Sequence, residues 1–406
     1  MKSHLYLTML ILLVSLSNGY AQQYGWVNIG GNLPSSSGTT TLPDLYFVND
    51  NEGWICSGLL GEIYHTTDGG STYTTQTTQY YTNAIHMLSS TEGYAGGLNG
   101  RVYRTTDGGG TWNVLGSIGS SLRSISFSPS SDSGYCCGDG GKIYRITPTS
   151  VSSMSSGVTA NLRSISFPSS SRGWTCGLAL IINYNGSWSQ QYPPSEGYNA
   201  IYMVNNTTGW SVGDNGVIVN TTDGGVNWNY QVNPDTSNSA LNDVFFLNAS
   251  EGWAVGTSGV ILHTTNGGTL WTIEGSGLTT NMLRAVQFTS STNGYVLGNN
   301  GTLLKYVQLT GIENSEGQNG SSKLLQNYPN PFNSTTSLKY TLHQAGNVHL
   351  AVYNLQGEMV SLLVNEHQSA GEHSVMFDGN DFPSGVYYYQ ISIADKFETG
   401  KMILIR

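Results

Sequence analysis

An eight-residue element occurs four times in this 406-residue chain and constrains its fold more than any other feature. Each copy reads Thr-Thr, then Asp or Asn, then Gly-Gly, with an aromatic residue three positions later. The carboxylate or amide is expected to accept local backbone N–H bonds, and the glycines permit positive φ angles, so each copy predicts a tight turn. Four copies indicate a chain built from repeats. They occupy residues 66–73, 105–112, 221–228 and 264–271.

A second marker, glycine followed by Trp or Tyr, recurs seven times at intervals of 36 to 43 residues. The glycines are Gly53, Gly93, Gly134, Gly173, Gly209, Gly252 and Gly294. Each unit contains four short β-type runs separated by turn residues. Seven such units predict an all-β fold, a seven-bladed β-propeller over residues 22–310. Units three and four lack the complete turn element, so we expect them to keep the blade with altered outer loops.

The seventh unit ends near Tyr306 without a fourth strand, whereas residues 25–28 have the pattern of such a strand. We therefore expect the N-terminal strand to complete the last blade and to close the ring. Closure would remove sheet edges that otherwise invite aggregation.

Both ends of the chain have a distinct composition. Residues 1–21 contain Lys2, a short apolar run and a small-residue end at Ala21, which predicts a cleaved signal peptide. No later run is apolar enough to span a membrane, so no stable membrane span is expected in the mature chain. Polar residues 311–323 predict a flexible linker. Alternating runs over residues 324–406 predict a small immunoglobulin-like β-sandwich.

Charge and cysteine placement limit the partners and the covalent chemistry. A net charge of -10 argues against a nucleic-acid surface, which needs basic residues to neutralise phosphates. Export would permit disulfides. However, Cys56, Cys137 and Cys176 share one repeat position, where other units carry glycine or aliphatic residues. Buried thiols are therefore the favoured interpretation for these cysteines and for Cys136.

One position in the innermost strands is polar in nearly every unit, and it lies ten or eleven residues before the Gly-aromatic glycine. We call these residues the polar ring: Pro43, Asn83, Arg123, Arg163, Asn199, Asn242 and Arg284. Around a closed propeller they are expected at one mouth of the central channel. Their arginines would suit carboxylates of a protein or glycan ligand. The alternative is that each is a solvated or locally paired strand-end residue.

Catalytic and metal-binding candidates are sparse. His65 and His263 share one repeat position, which favours a structural role, so neither a metal nor a cofactor is expected. A glycosidase needs two carboxylates across one cleft, one of them with a raised pKa. The candidate acids outside the obligatory positions of the repeats are Asp44, Asp139, Asp214 and Asp243. A non-enzymatic binding protein is favoured, with a secreted glycoside hydrolase as the alternative.

The turn element resembles the Asp-box (BNR) repeat of β-propellers. Over about residues 25–306 the whole unit resembles the photosystem II assembly and stability factor-like family. That resemblance implies a propeller with an arginine-lined face that, in photosynthetic members, binds a membrane-protein segment. Arg123, Arg163 and Arg284 match its arginine, whereas Asn83, Asn199, Asn242 and Pro43 depart from it. Asp-box sialidases also use three arginines, but neither a Phe-Arg-Ile-Pro motif nor a tyrosine–glutamate pair can be identified here.

The C-terminal region resembles the sorting domain of the type IX secretion system. The matching positions include Tyr328, Pro329, Asn330, Pro331, Gly385, Tyr387 and Lys401. The resemblance implies that the type IX translocon is a partner and that the protein is secreted or displayed on the outer cell surface. The alternative is an ordinary C-terminal sandwich used for adhesion or carbohydrate binding.

Overall fold

The structure is a computed structural model. It describes residues 23–34, 41–57, 61–129, 131–178, 180–194, 197–275, 277–309, 323–325, 327–342, 344–354, 359–393 and 396–405. The predicted signal peptide and all of the predicted linker except Lys323 lie outside the described residues. The chain divides into two units, Met1–Gly311 and Ile312–Arg406.

Within the described residues, the first unit forms seven four-stranded antiparallel sheets, which are the blades of a propeller. The strand that comes first in the chain is β1 (Gln23–Asn28). Blade 1 contains β2 (Leu45–Phe47), β3 (Gly53–Cys56), β4 (Glu62–Thr66) and β5 (Thr74–Thr77). Blade 2 contains β6 (Ala84–Met87), β7 (Gly93–Gly96), β8 (Arg101–Thr105) and β9 (Asn113–Ser117). Blade 3 contains β10 (Leu122–Phe127), β11 (Gly134–Gly138), β12 (Ile143–Thr147) and β13 (Ser150–Met154).

Blade 4 contains β14 (Leu162–Ser169), β15 (Arg172–Gly177), β16 (Leu180–Tyr184) and β17 (Trp188–Gln191), and blade 5 contains β18 (Tyr198–Met203), β19 (Gly209–Gly213), β20 (Ile218–Thr221) and β21 (Asn229–Tyr230). Blade 6 contains β22 (Leu241–Phe246), β23 (Gly252–Gly256), β24 (Ile261–Thr264) and β25 (Thr272–Glu274). Blade 7 contains β26 (Leu283–Ser290), β27 (Asn293–Gly298) and β28 (Leu303–Leu309), together with β1. Short 3-10 turns occupy Gly30–Asn32, Asp139–Gly141, Asp214–Gly216 and Thr257–Gly259. The predicted seven-bladed propeller is confirmed, and blades 3 and 4 keep all four strands.

Packing between blades explains the Gly-aromatic pair. A Cβ on Gly252 would lie 2.4 Å from the ring of Phe246, so only glycine leaves room for that ring. Phe246 in turn stacks on Trp210 of the preceding blade, with ring centroids 3.5 Å apart. Phe47 stacks in the same way on Tyr295, at 3.6 Å, across the junction of blades 1 and 7. The pair therefore serves blade stacking, which is why it recurs in every unit.

The Asp-box turns are held by their own side chains. Asp107 accepts hydrogen bonds from the hydroxyls of Thr105 and Thr111, both at 2.8 Å. The Thr105 hydroxyl accepts from the N–H of Gly109, whose φ is +93°. In the first copy, hydrogen bonds from the hydroxyl and N–H of Thr72 lower the pKa of Asp68 to about 2. The aspartates are thus occupied in forming turns, as the periodicity predicted.

A glutamine three residues after the Asp-box aromatic position links neighbouring blades. Gln191 donates to the carbonyl of Gly224 in the next blade at 3.0 Å and accepts from the indole N–H of Trp228 at 3.1 Å. Gln76 and Gln231 make the same two contacts. We call this arrangement the glutamine clamp.

Replacing the clamp glutamine should destabilise the propeller, because a buried indole N–H and a carbonyl lose their partner. We expect Gln191→Leu to lower the free energy of unfolding by about 1–3 kcal/mol. Urea unfolding followed by tryptophan fluorescence measures it. The matched control is Gln190→Leu at the exposed neighbouring position, expected within about 0.5 kcal/mol of wild type. Equal midpoints for the two variants would show that the clamp contributes nothing.

Ring closure follows the prediction. β1 pairs antiparallel with β28, with Trp26 opposite Tyr306. The Trp26 side chain is buried against Phe288, and its indole N–H donates to Glu274 at 3.1 Å. Glu274 occupies the position that the clamp glutamine has in other blades, so a carboxylate closes the ring where a glutamine serves elsewhere. The N-terminal strand therefore completes blade 7.

The second unit is a β-sandwich. Its strands are β29 (Lys323–Leu324), β30 (Thr335–Leu342), β31 (Gly346–Tyr353), β32 (Met359–Gln368), β33 (Gly371–Asp378), β34 (Gly385–Ile393) and β35 (Lys396–Leu404). They form the sheets β29-β30-β33 and β32-β31-β34-β35. Leu338 and Phe377 of the first sheet share one core with Leu350 and Ile391 of the second, which confirms the predicted sandwich.

The four cysteines are free and buried. Burial raises the pKa of the Cys137 thiol to about 12, so the thiol stays neutral and unreactive at ordinary pH. The interpretation of these residues as buried thiols is confirmed.

Candidate functional site

The polar ring lies where the innermost strands begin. Five of its members occupy irregular positions at which the pairing of the first two strands of a blade shifts register: Arg123, Arg163, Asn199, Asn242 and Arg284. A β-bulge re-aims the side chain of the extra residue, which accounts for a polar side chain at the edge of an apolar strand. Asn83 and Pro43 come just before the strands of their own blades.

The asparagines of the ring join neighbouring blades. The amide of Asn242 donates to the carbonyl of Leu283 in the next blade at 2.7 Å, and that of Asn199 donates to Leu241 at 2.8 Å. Asn83 makes the equivalent contact with Leu122 at 3.4 Å. These amides therefore hold neighbouring blades together, and Asn199 also accepts a hydrogen bond from Arg163 and donates one to Asp214.

Two of the arginines have local acidic partners. Arg123 donates from Nε and Nη2 to the two oxygens of Asp139, each at 2.9 Å, and its side chain is 43% exposed. Arg163 donates to the amide oxygen of Asn199 and lies 3.6 Å from Asp214. The alternative interpretation, in which each ring residue is paired locally, therefore applies in part to both arginines. Each guanidinium has five N–H donors, so donors remain for a ligand.

Arg284 differs from the other two. Its Nε donates to the neutral amide oxygen of Asn299 at 2.6 Å, and among the described residues no carboxylate pairs with it. Burial lowers the pKa of its guanidinium, because a partly desolvated cation lacks a compensating charge. A ligand carboxylate would supply that charge, so Arg284 is the ring member best suited to an acidic ligand.

Turns that contain glycine place the hydrogen-bonding partners of the three arginines beside the polar ring. Gly141 has φ of +70°, and a Cβ there would lie 1.9 Å from the carbonyl oxygen of Val158. This turn presents Asp139 to Arg123, and the corresponding turns present Asp214 and Asn299.

The four candidate acids fall in two places. Asp139 and Asp214 lie at the ring, whereas Asp44 and Asp243 line the central channel, a cavity of about 800 Å³. Burial raises the pKa of Asp44 to about 8, helped by the charge of Asp243, against hydrogen bonds from the N–H groups of Ile85 and Leu45. Burial raises the pKa of Asp243 to about 7. Both side chains retain partial contact with the channel space.

The two repeat-position histidines take part in packing. His263 stacks on Trp253, with ring centroids 4.5 Å apart, and contacts Glu274 at 2.8 Å. His65 stacks on Trp54. Among the described residues, no group of three or more His, Cys, Asp or Glu side chains is arranged to hold a metal ion.

The sorting motif fastens the end of the second unit. Asn330 donates to the carbonyl of Lys401 and accepts from the N–H of Ile403, at 3.1 and 2.9 Å. Tyr387 is buried, and its hydroxyl donates to Pro383. Tyr328, Pro329, Pro331 and Lys401 are exposed positions of the motif, and Gly385 is half-buried. In the described parts of the chain, no helix has the length and apolar character needed to cross a membrane.

Two family models match the chain. One is described as photosynthesis system II assembly factor YCF48 and matches residues 184–275, and the other is described as secretion system C-terminal sorting domain and matches residues 326–406. No protein of curated function matches this sequence.

Solved structures share the fold at low identity. YCF48 bound to a D1 peptide is 20% identical with a TM-score of 0.58, and the match covers 71% of this chain and 96% of that one. YCF48 from Cyanidioschyzon merolae is 18% identical with a TM-score of 0.56, over 70% and 98%. PorZ, a surface component of the type-IX secretion system of Porphyromonas gingivalis, is 14% identical with a TM-score of 0.51, over 90% and 59%.

Both resemblances seen in the sequence are therefore confirmed. The chain joins a seven-bladed propeller, of which residues 184–275 match the YCF48 model, to a C-terminal sorting domain, which directs the protein through type IX secretion to the cell surface or beyond.

Proposed function

We propose that this exported propeller is a binding protein that captures an acidic protein segment or glycan at the polar ring, without chemical turnover. The observation that carries the proposal is Arg284, a partly buried guanidinium that pairs with a neutral amide and, among the described residues, with no carboxylate. Unused donors on Arg123 and Arg163 lie on the same ring. Since the chain as a whole carries a charge of -10, this local group of cations would select for carboxylates placed to meet it.

The solved structure of YCF48 bound to a D1 peptide supports a peptide as one class of ligand, because a propeller of the same fold binds a peptide there. A glycan bearing uronic acids would present the same carboxylate chemistry. In either case the bond is a charge-assisted hydrogen bond, contributing about 1.5–3 kcal/mol where solvent is excluded.

The test is the variant Arg123→Gln/Arg163→Gln/Arg284→Gln, assayed by biolayer interferometry against immobilised polygalacturonate and an acidic peptide with a free C-terminal carboxylate. We expect wild type to retain at least one probe and the variant to bind it at least about tenfold more weakly. Its unfolding midpoint should stay close to wild type, because the solvent-accessible ion pairs of Arg123 and Arg163 contribute about 0–1 kcal/mol and Arg284 has no ion pair among the described residues to lose.

The matched control is Arg104→Gln/Arg145→Gln/Arg172→Gln, which removes the same charge from positions outside the ring. Arg104 on β8 pairs with Glu92, and Arg172 lies over Trp174. This control should bind like wild type. Equal weakening in both variants would replace the ring hypothesis with non-specific attraction.

A second candidate function is glycoside hydrolysis, favoured by the raised pKa of the carboxyl groups of Asp44 and Asp243. A general acid needs such a pKa. Against this function, each carboxyl group accepts two backbone N–H bonds, which is the contact of a structural clamp. The glycosidase predicts turnover of a polysaccharide, lost when one of these aspartates or Asp139 or Asp214 is replaced.

A further inference from the structure

The central channel is a cavity that the proposed function leaves without a role. Residues from all seven innermost strands line its volume of about 800 Å³. Among these described lining residues none is Lys or Arg, whereas Asp44, Asp132 and Asp243 bring carboxyl groups. Burial lowers the pKa of His86, which also lines the cavity, to about 4, so its imidazole adds no positive charge at neutral pH. A cavity with acids and no cation favours a positively charged guest.

Asp44 and Asp243 are held in fixed orientations. Asp44 accepts the N–H of Ile85 in the next blade at 2.9 Å, and Asp243 accepts that of Val286 at 2.8 Å. Each also accepts the N–H of the residue that follows it. A carboxylate has about four lone-pair sites, so both can accept further donors from the channel.

The fold does not need a charge at this position. In blades 3 and 4 the same position holds Ser124 and Ser164, whose hydroxyls accept the N–H of the next blade at 3.3 and 3.2 Å. Alanine stands there in blades 2, 5 and 7. Two buried carboxyl groups therefore carry a desolvation cost that a serine would avoid, and the packing of the blades does not account for them.

Aromatic side chains line the same cavity two residues further along the strands. They are Tyr46, Tyr202 and Phe245, and the rings of Tyr202 and Phe245 lie 5.0 Å apart. Burial raises the pKa of both tyrosines to about 12, so they remain neutral. The Tyr202 hydroxyl makes no hydrogen bond to any residue that the structure describes. Aromatic faces next to carboxylates suit an organic cation better than a metal ion, which prefers a set of oxygen ligands.

We propose that the channel binds an organic ammonium ion, whose N–H groups donate to Asp44 and Asp243 and whose carbon chain packs against Tyr46, Tyr202 and Phe245. A free alkylamine and a lysine side chain offer this same chemistry. Entry is from the mouth opposite the polar ring, because Arg123 begins β10 whereas Asp132 follows the end of that strand. The cation thereby avoids the arginines.

The test is isothermal titration calorimetry of the full chain at pH 8.5 with butylammonium, 1-butanol and Nα-acetyl-lysine methylamide. Butylammonium should bind at least tenfold more tightly than butanol. The double variant Asp44→Ser/Asp243→Ser should lose at least tenfold in affinity while remaining folded, since serine already makes this clamp in two blades. Asp139→Ser/Asp214→Ser removes the same charge at the ring and should bind butylammonium like wild type.

Nα-acetyl-lysine methylamide distinguishes the two possible sources of the ammonium ion, a lysine side chain and a free alkylamine. If it binds as well as butylammonium, the guest is a lysine side chain of a peptide; if butylammonium alone binds, the guest is a free amine. Equal binding of butanol, unchanged binding by the double serine variant, or tighter binding of calcium chloride would each overturn the proposal.

The wild-type protein offers a readout that needs no variant. Because binding requires both carboxyl groups ionised, affinity should rise at least tenfold between pH 6 and pH 8.5, with proton release measured in buffers of different ionisation enthalpy. The other titratable groups facing them are Tyr46, His86, Tyr202 and Cys56, whose pKa values lie outside this range; Asp132 lies at the far end of the channel. Affinity independent of pH, without proton release, would contradict the site.

Discussion

Deleting residues 22–32 is expected to lower the thermal midpoint of the propeller by more than about 10 °C. The deletion removes β1, so β28 loses its antiparallel partner and becomes an exposed edge. It also removes Trp26, whose side chain is only 6% exposed and contacts Phe288 and Tyr306. The loss of both contributions should be felt around the whole ring, because each blade packs on two neighbours.

The single substitution Trp26→Ala isolates the side chain from the strand. Burial of this size predicts a loss of about 3–5 kcal/mol. Tyr24→Ala on the same strand is the matched control and should lose less, because Tyr24, which stacks on Tyr306, is half-buried whereas Trp26 is buried. All 9 tryptophans lie in the first unit, so their fluorescence follows the propeller and not the sandwich. A deletion variant melting at the wild-type temperature would mean that β1 does not hold the ring closed.

The second large effect concerns export. A chain ending at residue 310 lacks the sorting domain and should accumulate in the periplasm of a host that has type IX secretion, with essentially none in the medium or on the cell surface. Immunoblots of cell fractions measure the distribution. The propeller should still fold, because its strands close upon one another without the second unit. Truncated protein reaching the surface in wild-type amounts would show that this domain does not direct export.

A point substitution can test the same domain with its strands in place. Asn330→Ala removes two hydrogen bonds to β35, so we expect a looser end of the sandwich and reduced export. Asn347→Ala, at an exposed position on β31, is the matched control and should be exported normally.

The blades could be predicted from the sequence because their markers are periodic. Gly252 and four of its equivalents each lie under a phenylalanine ring, and the other two, Gly93 and Gly209, lie under a methionine side chain, so every blade has a side chain packed on this glycine. The closing strand could be predicted for a related reason, since Trp26 supplies what the seventh unit lacks. A contact that every blade makes produces a residue pattern in the sequence with the period of the repeat.

Contacts between blades were harder to predict. The glutamine clamp was missed, although its signal is present: Gln76, Gln191 and Gln231 each stand three residues after an Asp-box aromatic position. At the corresponding place in blade 2 the residue is Leu115, and blade 3, which follows it, has no Asp-box. Glutamine is thus retained where a turn in the next blade needs a partner.

The repeat spacing predicts equivalent positions for the three ring arginines, and each lies at a register shift between the first two strands of its blade, but their pairing could not be predicted. The spacing brought Arg123, Arg163 and Arg284 to one ring. Which arginine has a carboxylate partner depends on the hairpin turn opposite each one, where Asp139 and Asp214 stand for the first two and Asn299 for the third. The raised pKa values in the channel depend on burial by the complete ring, which no single unit reveals.

Binding and turnover can be separated in one incubation of the exported protein with polysaccharides and acidic peptides, in which retained ligand and released reducing ends are measured together. We predict retention of an acidic ligand without turnover, and loss of retention in the Arg123→Gln/Arg163→Gln/Arg284→Gln variant. Release of reducing ends that disappears on replacing Asp44, Asp139, Asp214 or Asp243, or retention unchanged in the arginine variant, would contradict it.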